Sequence, residues 1–360
     1  MAKVLVLNNY PLDQVWAEVK AGQKPDHHLY GLNYFKQMGY EIELAPFDAS
    51  IKGEQFRGFM AKAPLVIPLG DMEQQRYCLT NFNKYDLVWA PCQTQTAFLS
   101  YLRACGLFKT PIVSLAHHPI LSGRLANVRR PFVKLMLQGT DSFPSLSSRI
   151  SRNINDLAGQ VRSKTLSWGP DAQYYISRAD VCKLGEGIIC AGRTNRDFTT
   201  FGWAASKTKI PSQIICLDYY VEPSFASFAQ NVSVVVRPYR DHMKYPELLN
   251  LYAQSRAIAI PLFAADILGG LTSLMDALAM GKPILMTRNP YIDIDIEKEG
   301  IGIWIEPGDI NAWSQAIEYI SQNDLIAKQM GERAKALVDN GLNSENFAKA
   351  VGEIFEECLS

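Results

Sequence analysis

Short apolar runs and amphipathic stretches alternate along the whole chain. Residues 3–7 (KVLVL) form a nearly continuous apolar run of strand length, followed by the loop signal Asn8-Asn9-Tyr10-Pro11. Such a run predicts a strand buried on both faces. A helix is expected over 29–38, closed by Gly39, and the alternating YEIEL that follows predicts a second strand. Further strands are expected at 65–69, 86–90 and 112–116, with helical patterns between them such as 94–105, ending at Gly106. Strands separated by helices in this way predict repeated β–α units around a parallel sheet.

The same grammar restarts in the second half. Residues 187–191 (GIICA) predict a strand, and 214–217, 232–236, 257–260, 284–287 and 301–305 predict five more, separated by helical stretches. From 312 the pattern is helical almost to the end, with a break near Gly341. Two successive α/β blocks therefore emerge, joined within 165–186, where Trp168-Gly169-Pro170-Asp171 marks a turn. Two parallel sheets facing each other would present their strand-end loops to a cleft, where such sheets bind ligands.

Composition changes this picture only at its edges. A chain of 360 residues exceeds what one core usually supports, and 48 % apolar with 20 % charged residues is globular. A formal net charge of zero argues against a dedicated nucleic-acid binder. The seven cysteines (78, 92, 105, 182, 190, 216, 358) show neither a C-x-x-C pair nor metal-ligand spacing. Cys190 and Cys216 lie in apolar runs and are expected to be buried in a reducing compartment. The start lacks a signal-peptide pattern and no apolar run reaches the roughly 20 residues that span a bilayer. A cytoplasmic location is expected.

The densest candidate chemistry lies at 266–286, DILGGLTSLMDALAMGKPILM. A glycine pair before a helix lets backbone N–H groups approach an anion, which the positive end of the helix then favours. Gly269, Gly270, Leu271, Thr272 and Ser273 are the cradle candidates, and Thr272 is also placed to cap the helix. Asp276 follows one turn later; burial is unfavourable for an unpaired carboxylate, so a ligand or backbone contact is expected there. Gly192 and Arg193 follow the 187–191 strand, where Arg193 is placed to bond phosphate oxygens. In the first half, His117-His118-Pro119 ends the strand at 112–116. One of the two imidazoles is expected to act, and His118 is favoured because the residue before proline is held extended. His27-His28 and Asn8-Asn9-Tyr10 are further loop candidates. Asp293-Ile294-Asp295 reads as a solvated loop, and no metal site is expected.

Four pieces in order now carry a resemblance. Trp168-Gly169-Pro170-Asp171 is similar to a W-G-hydrophobe-D turn, GIICAGRT (187–194) to a strand followed by G-R, YPELLNLYAQSRAIAIP (245–261) to a helix and strand, and 269–285 to a glycine turn, acidic helix and x-Pro-hydrophobe strand. The chain resembles the GT-B glycosyltransferases, specifically the retaining family 4, most firmly over 165–340. The resemblance implies an α/β GT-B fold of two Rossmann-like domains with parallel sheets facing across a cleft. Residues 1–167 would bind the acceptor, 168–342 would bind a nucleotide-sugar donor, and a helix over 343–360 would pack back on the first domain.

The activity implied is metal-independent, retaining hexosyl transfer from a UDP- or GDP-sugar to a saccharide or lipid-linked hydroxyl, as in polysaccharide assembly, with no permanently bound cofactor. Arg193, with Arg196 or Lys244 as a second cation, would neutralise the departing diphosphate, Asp276 would hold the ribose, and His117 or His118 would bind the donor sugar or position the acceptor. The chain departs from the family pattern at Leu268, which stands where a glutamate would meet the donor sugar. The lysine expected a few residues after Gly192-Arg193 is also missing. A sugar-nucleotide epimerase, or a non-catalytic sugar-nucleotide-binding partner, is the alternative. The helix-like NVRRPFVKLML mixes cations with apolar residues and suits either a packed helix or a peripheral contact with the inner membrane face.

Overall fold

A computed structural model of the chain describes residues 1–48, 50, 53, 67–93, 95–179, 184–239 and 243–360. It divides into two compact units: Met1–Lys20, Asp26–Trp168 and Ser344–Ser360 form the first, Ala21–Pro25 and Gly169–Asn343 the second.

The first unit is built on four parallel strands, β1 (Ala2–Val6), β2 (Tyr40–Leu44), β3 (Leu87–Ala90) and β4 (Ile112–Ser114), in the order β2-β1-β3-β4. Every residue of β3 and β4 is buried, as their unbroken apolar sequences require, whereas the edge strand β2 alternates. Short bridges from Val113 to Ser142, Ala116 to Ser145 and Ser145 to Thr165 continue the sheet past β4. The helix Ser344–Leu359 closes this unit. Its Phe355 is fully buried, with ring centroids 5.0 Å from Phe35, 5.4 Å from Tyr40 and 5.5 Å from Trp89. The helix Ala126–Gln138 buries Val133, Met136 and Leu137 and leaves Arg130 and Lys134 in solvent.

The expected helix over 29–38 is shorter and broken. A 3-10 turn covers Asp26–Leu29, Tyr30 (φ 50°) and Gly31 (φ 89°) take left-handed conformations, and α-helix resumes only over Leu32–Phe35. Two consecutive left-handed residues interrupt the i→i−4 ladder, which the apolar spacing could not reveal. The helix Leu12–Lys20 was not anticipated from the sequence. Of the strand expected at 65–69, residues 65 and 66 lie outside the described residues and 67–69 are irregular. The joining segment 165–186 includes 180–183, among them Cys182, which also lie outside them.

The second unit carries six parallel strands: β5 (Ile188–Ala191), β6 (Ser212–Leu217), β7 (Val232–Arg237), β8 (Ala257–Ile260), β9 (Ile284–Thr287) and β10 (Gly302–Ile305). Their order, β10-β9-β8-β5-β6-β7, places β5 and β8 together at the centre, where the strand sequence reverses direction. Central strands IICA, AIAI and ILMT are buried throughout, and Cys190 and Cys216 are buried. Trp313, Phe201 and Phe198 fill the core on one face of the sheet. The helix Leu271–Ala279 is buried at every position from Ser273 onward, which suits its nearly uniform apolar sequence. The helical region after 310 has a second break at Asn323, between Ile310–Gln322 and Asp324–Asp339. Gly169 packs so closely on Leu342 and Asn343 that a Cβ would lie 2.3 Å from backbone atoms of both.

Candidate functional site

Three loops of the second unit converge at the carboxyl ends of β5, β8 and β9. The loop after β5 runs back along the loop after β8: Arg196 bridges Leu262, the Asp197 N–H donates to the Pro261 carbonyl (3.1 Å), and Asn195 exchanges two bonds with Phe263. After β9, Thr287 Oγ1 accepts from Leu262 N (2.9 Å), and the Asn289 amide donates to the carbonyls of Ile267 (3.1 Å) and Gly269 (3.3 Å). Backbone that would otherwise be loose is therefore pinned from both sides.

The glycine pair opens the helix as its spacing predicts, with one correction. Gly270, not Thr272, occupies the cap position, at φ 84° and without any side-chain cap. Thr272 is exposed within the first turn, beside half-buried Leu271. A Cβ on Gly270 would stand 2.8 Å from Met286 Cε and 2.9 Å from Ile260 Cγ2, so both conformation and space demand glycine. The first-turn N–H groups of a helix begun in this way carry no side-chain acceptor.

Arg196 enters this turn from the side. Its guanidinium is buried and donates to the carbonyls of Ala191 (3.2 Å) and Thr194 (3.1 Å) and to Ser273 Oγ (2.8 Å). Burial lowers its pKa, yet among the described residues no carboxylate pairs with it. Gly192 makes the space: a Cβ there would lie 2.1 Å from Arg196 Nε. Arg193 does not share that burial. It is exposed, while its carbonyl accepts the hydroxyls of Tyr219 (3.1 Å) and Tyr220 (2.8 Å) from the loop after β6. Lys244 is exposed just before the helix Tyr245–Gln254, at its N-cap.

Asp276 differs from its expectation. It is buried, and its Oδ1 accepts the hydroxyl of Tyr175 (2.5 Å) and that of Tyr245, the two hydroxyls being 3.0 Å apart. Two tyrosines, not backbone or open solvent, satisfy the carboxylate and make its burial possible. Burial pushes its pKa up to about 6, against the opposing pull of the two hydroxyl bonds. Neither tyrosine stood out in the sequence, because nothing local links positions 175, 245 and 276. Leu268 is buried as well, so its side chain belongs to the core of the loop. Lys282, from the Gly-Lys-Pro signal, is structural: its ammonium caps the helix Tyr245–Gln254 by donating to the carbonyls of Ala253 (2.6 Å) and Ser255 (2.8 Å).

The first-unit candidates collect at the ends of β1, β3 and β4. Gln93 Oε1 accepts the backbone N–H of both His117 (2.8 Å) and His118 (2.7 Å), and the His117 ring bonds the Pro91 carbonyl (2.8 Å). Burial pulls the His117 pKa down to about 4 and lowers that of His118, so both imidazoles are neutral at neutral pH. Tyr30 meets the His117 ring edge-on at 5.3 Å and stacks on Trp168 at 6.0 Å. His27 is a core residue, T-shaped against Trp168 at 4.9 Å, and His28 is half-buried. Asn8 is buried against Gln74, Asn9 is exposed, and the Tyr10 hydroxyl donates to the His28 carbonyl (2.6 Å). Gln93 was missed, since its role depends on a backbone turn 24 residues away.

Among the described residues no group of three or more His, Cys, Asp or Glu side chains is arranged to hold a metal ion. Asp295 instead accepts the N–H groups of Glu297 and Lys298 and the Trp304 indole, as a loop-ordering acid does.

Comparison with solved structures identifies the fold. A glycosyltransferase from Rickettsia africae ESF-5 superposes with a TM-score of 0.68 at 16 % identity, over 100 % of this chain and 99 % of that one. HepE of Anabaena in complex with UDP and glucose matches with a TM-score of 0.68 at 14 % identity, over 99 % of this chain and 100 % of that one. Sucrose-phosphate synthase from Thermosynechococcus elongatus matches with 0.67 at 13 % identity, over 99 % of both chains. The fold is GT-B. No protein-family model and no curated protein matches the sequence. Within this GT-B fold the three converging loops lie at the carboxyl ends of the central strands of the second unit.

Proposed function

We infer that the chain is a glycosyltransferase that binds a nucleoside diphosphate sugar on its second unit and transfers the sugar, with retention and without a metal, to a saccharide or lipid-linked hydroxyl. The observation that carries this reading is Arg196: a buried cation with which no carboxylate among the described residues pairs, bonded to Ser273 in the first turn of a helix that opens on Gly269-Gly270. An arginine buried in this way is compensated when an anion joins it. A diphosphate between the helix N-terminus, Arg196 and exposed Arg193 supplies that anion. As the sugar leaves, the same groups stabilise the charge that develops on the diphosphate. We assign the ribose to the Asp276–Tyr245 pair, a second phosphate contact to Lys244, and a neutral hydrogen-bonding role at the sugar or acceptor to His117 or His118. The donor-binding domain in this reading is 168–342 and the acceptor-binding domain 1–167, with 343–360 joined to the latter. The solved HepE complexes with UDP and with UDP-glucose support a uridine donor. A cytoplasmic setting, with Arg130 and Lys134 available for an anionic surface, completes the assignment.

The test is calorimetric binding of UDP, GDP and their sugars, with product analysis after adding acceptors. One nucleotide type should bind, independent of chelator, and Arg193→Ala should weaken it roughly tenfold or more. Failure of every nucleotide to bind folded protein would remove the assignment. A second reading, binding without transfer, is favoured by the burial of Leu268 where an acid would meet the sugar. It predicts tight nucleotide-sugar binding with neither hydrolysis nor transfer.

A further inference from the structure

A cavity of about 710 Å³ opens in the second unit beyond the glycine turn, at the carboxyl ends of β8, β9 and β10. That volume falls in the range of small-molecule sites. Its wall on the β8 side is Phe263 to Asp266, and on the far side Arg288, Trp304 and Glu306.

The rim is aromatic and held in place. Phe263, which lines the cavity, is 48 % exposed. Its backbone is nonetheless clamped, donating to the Asn195 carbonyl (3.2 Å) and accepting from the Asn195 amide (2.8 Å), with Asn195 itself at φ 55°. Trp304 is fixed by its indole N–H to Asp295 (3.1 Å) and by the Arg288 guanidinium 5.6 Å from its ring centre.

The polar lining is almost entirely acceptor. Asp266, Asp295 and Glu306 carry only lone pairs when ionised. The single lining cation, Arg288, is engaged by Glu306 (2.7 Å) and Glu297 (3.7 Å). Among the described residues no hydrogen bond or ion pair holds Asp266. The cavity is therefore net negative, the opposite of the turn at Arg196. It disfavours phosphates and carboxylates and rewards a ligand with many donors and an apolar face. A neutral sugar has both: hydroxyls that donate and a C–H face that packs on aromatic rings.

We propose that this cavity binds a neutral, hydroxyl-rich saccharide of more than one ring. On the transferase reading of this chain, which puts the acceptor hydroxyl on residues 1–167, the cavity holds a glycan segment apart from that hydroxyl, and this segment is uncharged rather than a uronate or phosphorylated. Its binding does not depend on that reading, but its role does.

Calorimetry and saturation-transfer NMR test this with neutral trisaccharides of glucose, galactose, mannose and N-acetylglucosamine, beside a glucuronate trisaccharide, spermidine and UDP. A neutral trisaccharide should bind and the glucuronate form should not. Phe263→Ala and Asp266→Asn should each weaken it by about tenfold, and Ala265→Trp, which fills the cavity, should abolish it with UDP affinity changed by less than about twofold. No neutral trisaccharide binding to wild type, binding untouched by Ala265→Trp, or binding of spermidine alone would overturn the proposal. A trisaccharide that binds while no nucleotide does would instead overturn the transferase reading and leave the cavity's assignment standing.

Discussion

Arg196 and Gly192 form one unit of design, because the missing Cβ of the glycine is the space that the guanidinium occupies. Gly192→Ala should expel the arginine and mimic Arg196→Met: both should weaken nucleoside diphosphate binding roughly ten- to hundredfold in calorimetry, whereas Gly187→Ala, outside the loop, should not. The arginine's place was only half legible. Arg193 drew attention as the residue of the G-R signal, yet the structure buries Arg196 and exposes Arg193, a choice made by the bridge to Leu262 that no local pattern encodes. Asp276 offers a second test. Its carboxyl titrates near 6 when folded against an ordinary value of 3.8, so the folded state holds the proton more tightly. The resulting stabilisation is complete below about pH 4 and lost as pH rises through 6. Asp276→Asn, neutral throughout, should therefore gain on wild type by about 1–3 kcal/mol between pH 4 and pH 8 in thermal unfolding. A stability difference, Asp276→Asn minus wild type, that stays flat or falls across that window would refute the shift.

At the scale of elements, strands were easier to read than helices. The runs AIAI and ILMT match β8 and β9 residue for residue, since central parallel strands need unbroken apolar sequence and little else does. Helix starts depend on single backbone conformations. Gly31 starts one helix later than its pattern and Gly270 starts another earlier, each at positive φ, and a hydroxyl two residues after Gly270 was mistaken for the cap. Gly270→Ala combines a left-handed backbone with contacts under 3 Å to Met286 and Ile260. It should cost about 1–3 kcal/mol in urea unfolding and weaken nucleotide binding in parallel. Phe355→Ala should cost more, about 3–5 kcal/mol, because three aromatic rings lose their common partner.

At the scale of the molecule, the two α/β blocks were visible as a repeated grammar, while the function of each rested on loops that sequence orders but does not bring together. The convergence of 192–197, 261–270 and 287–289 is a property of strand order, in which β8 lies beside β5 although some 65 residues separate them. The second unit contains all of these groups and its own six-stranded sheet. Residues 169–343 alone should fold and bind the same nucleotide within about threefold of the full chain, as circular dichroism and calorimetry would register. An unfolded fragment would show that its core needs more than those residues. The first unit has the opposite dependence, because Phe355 of the helix from Ser344 onward packs on Phe35, Tyr40 and Trp89. During translation at about 5–20 residues per second, the intervening Gly169–Asn343 takes roughly ten to thirty-five seconds to emerge. The nascent first unit therefore waits on the ribosome with an uncovered aromatic surface while its later-made neighbour matures, and that interval is the window in which chaperones would find this chain.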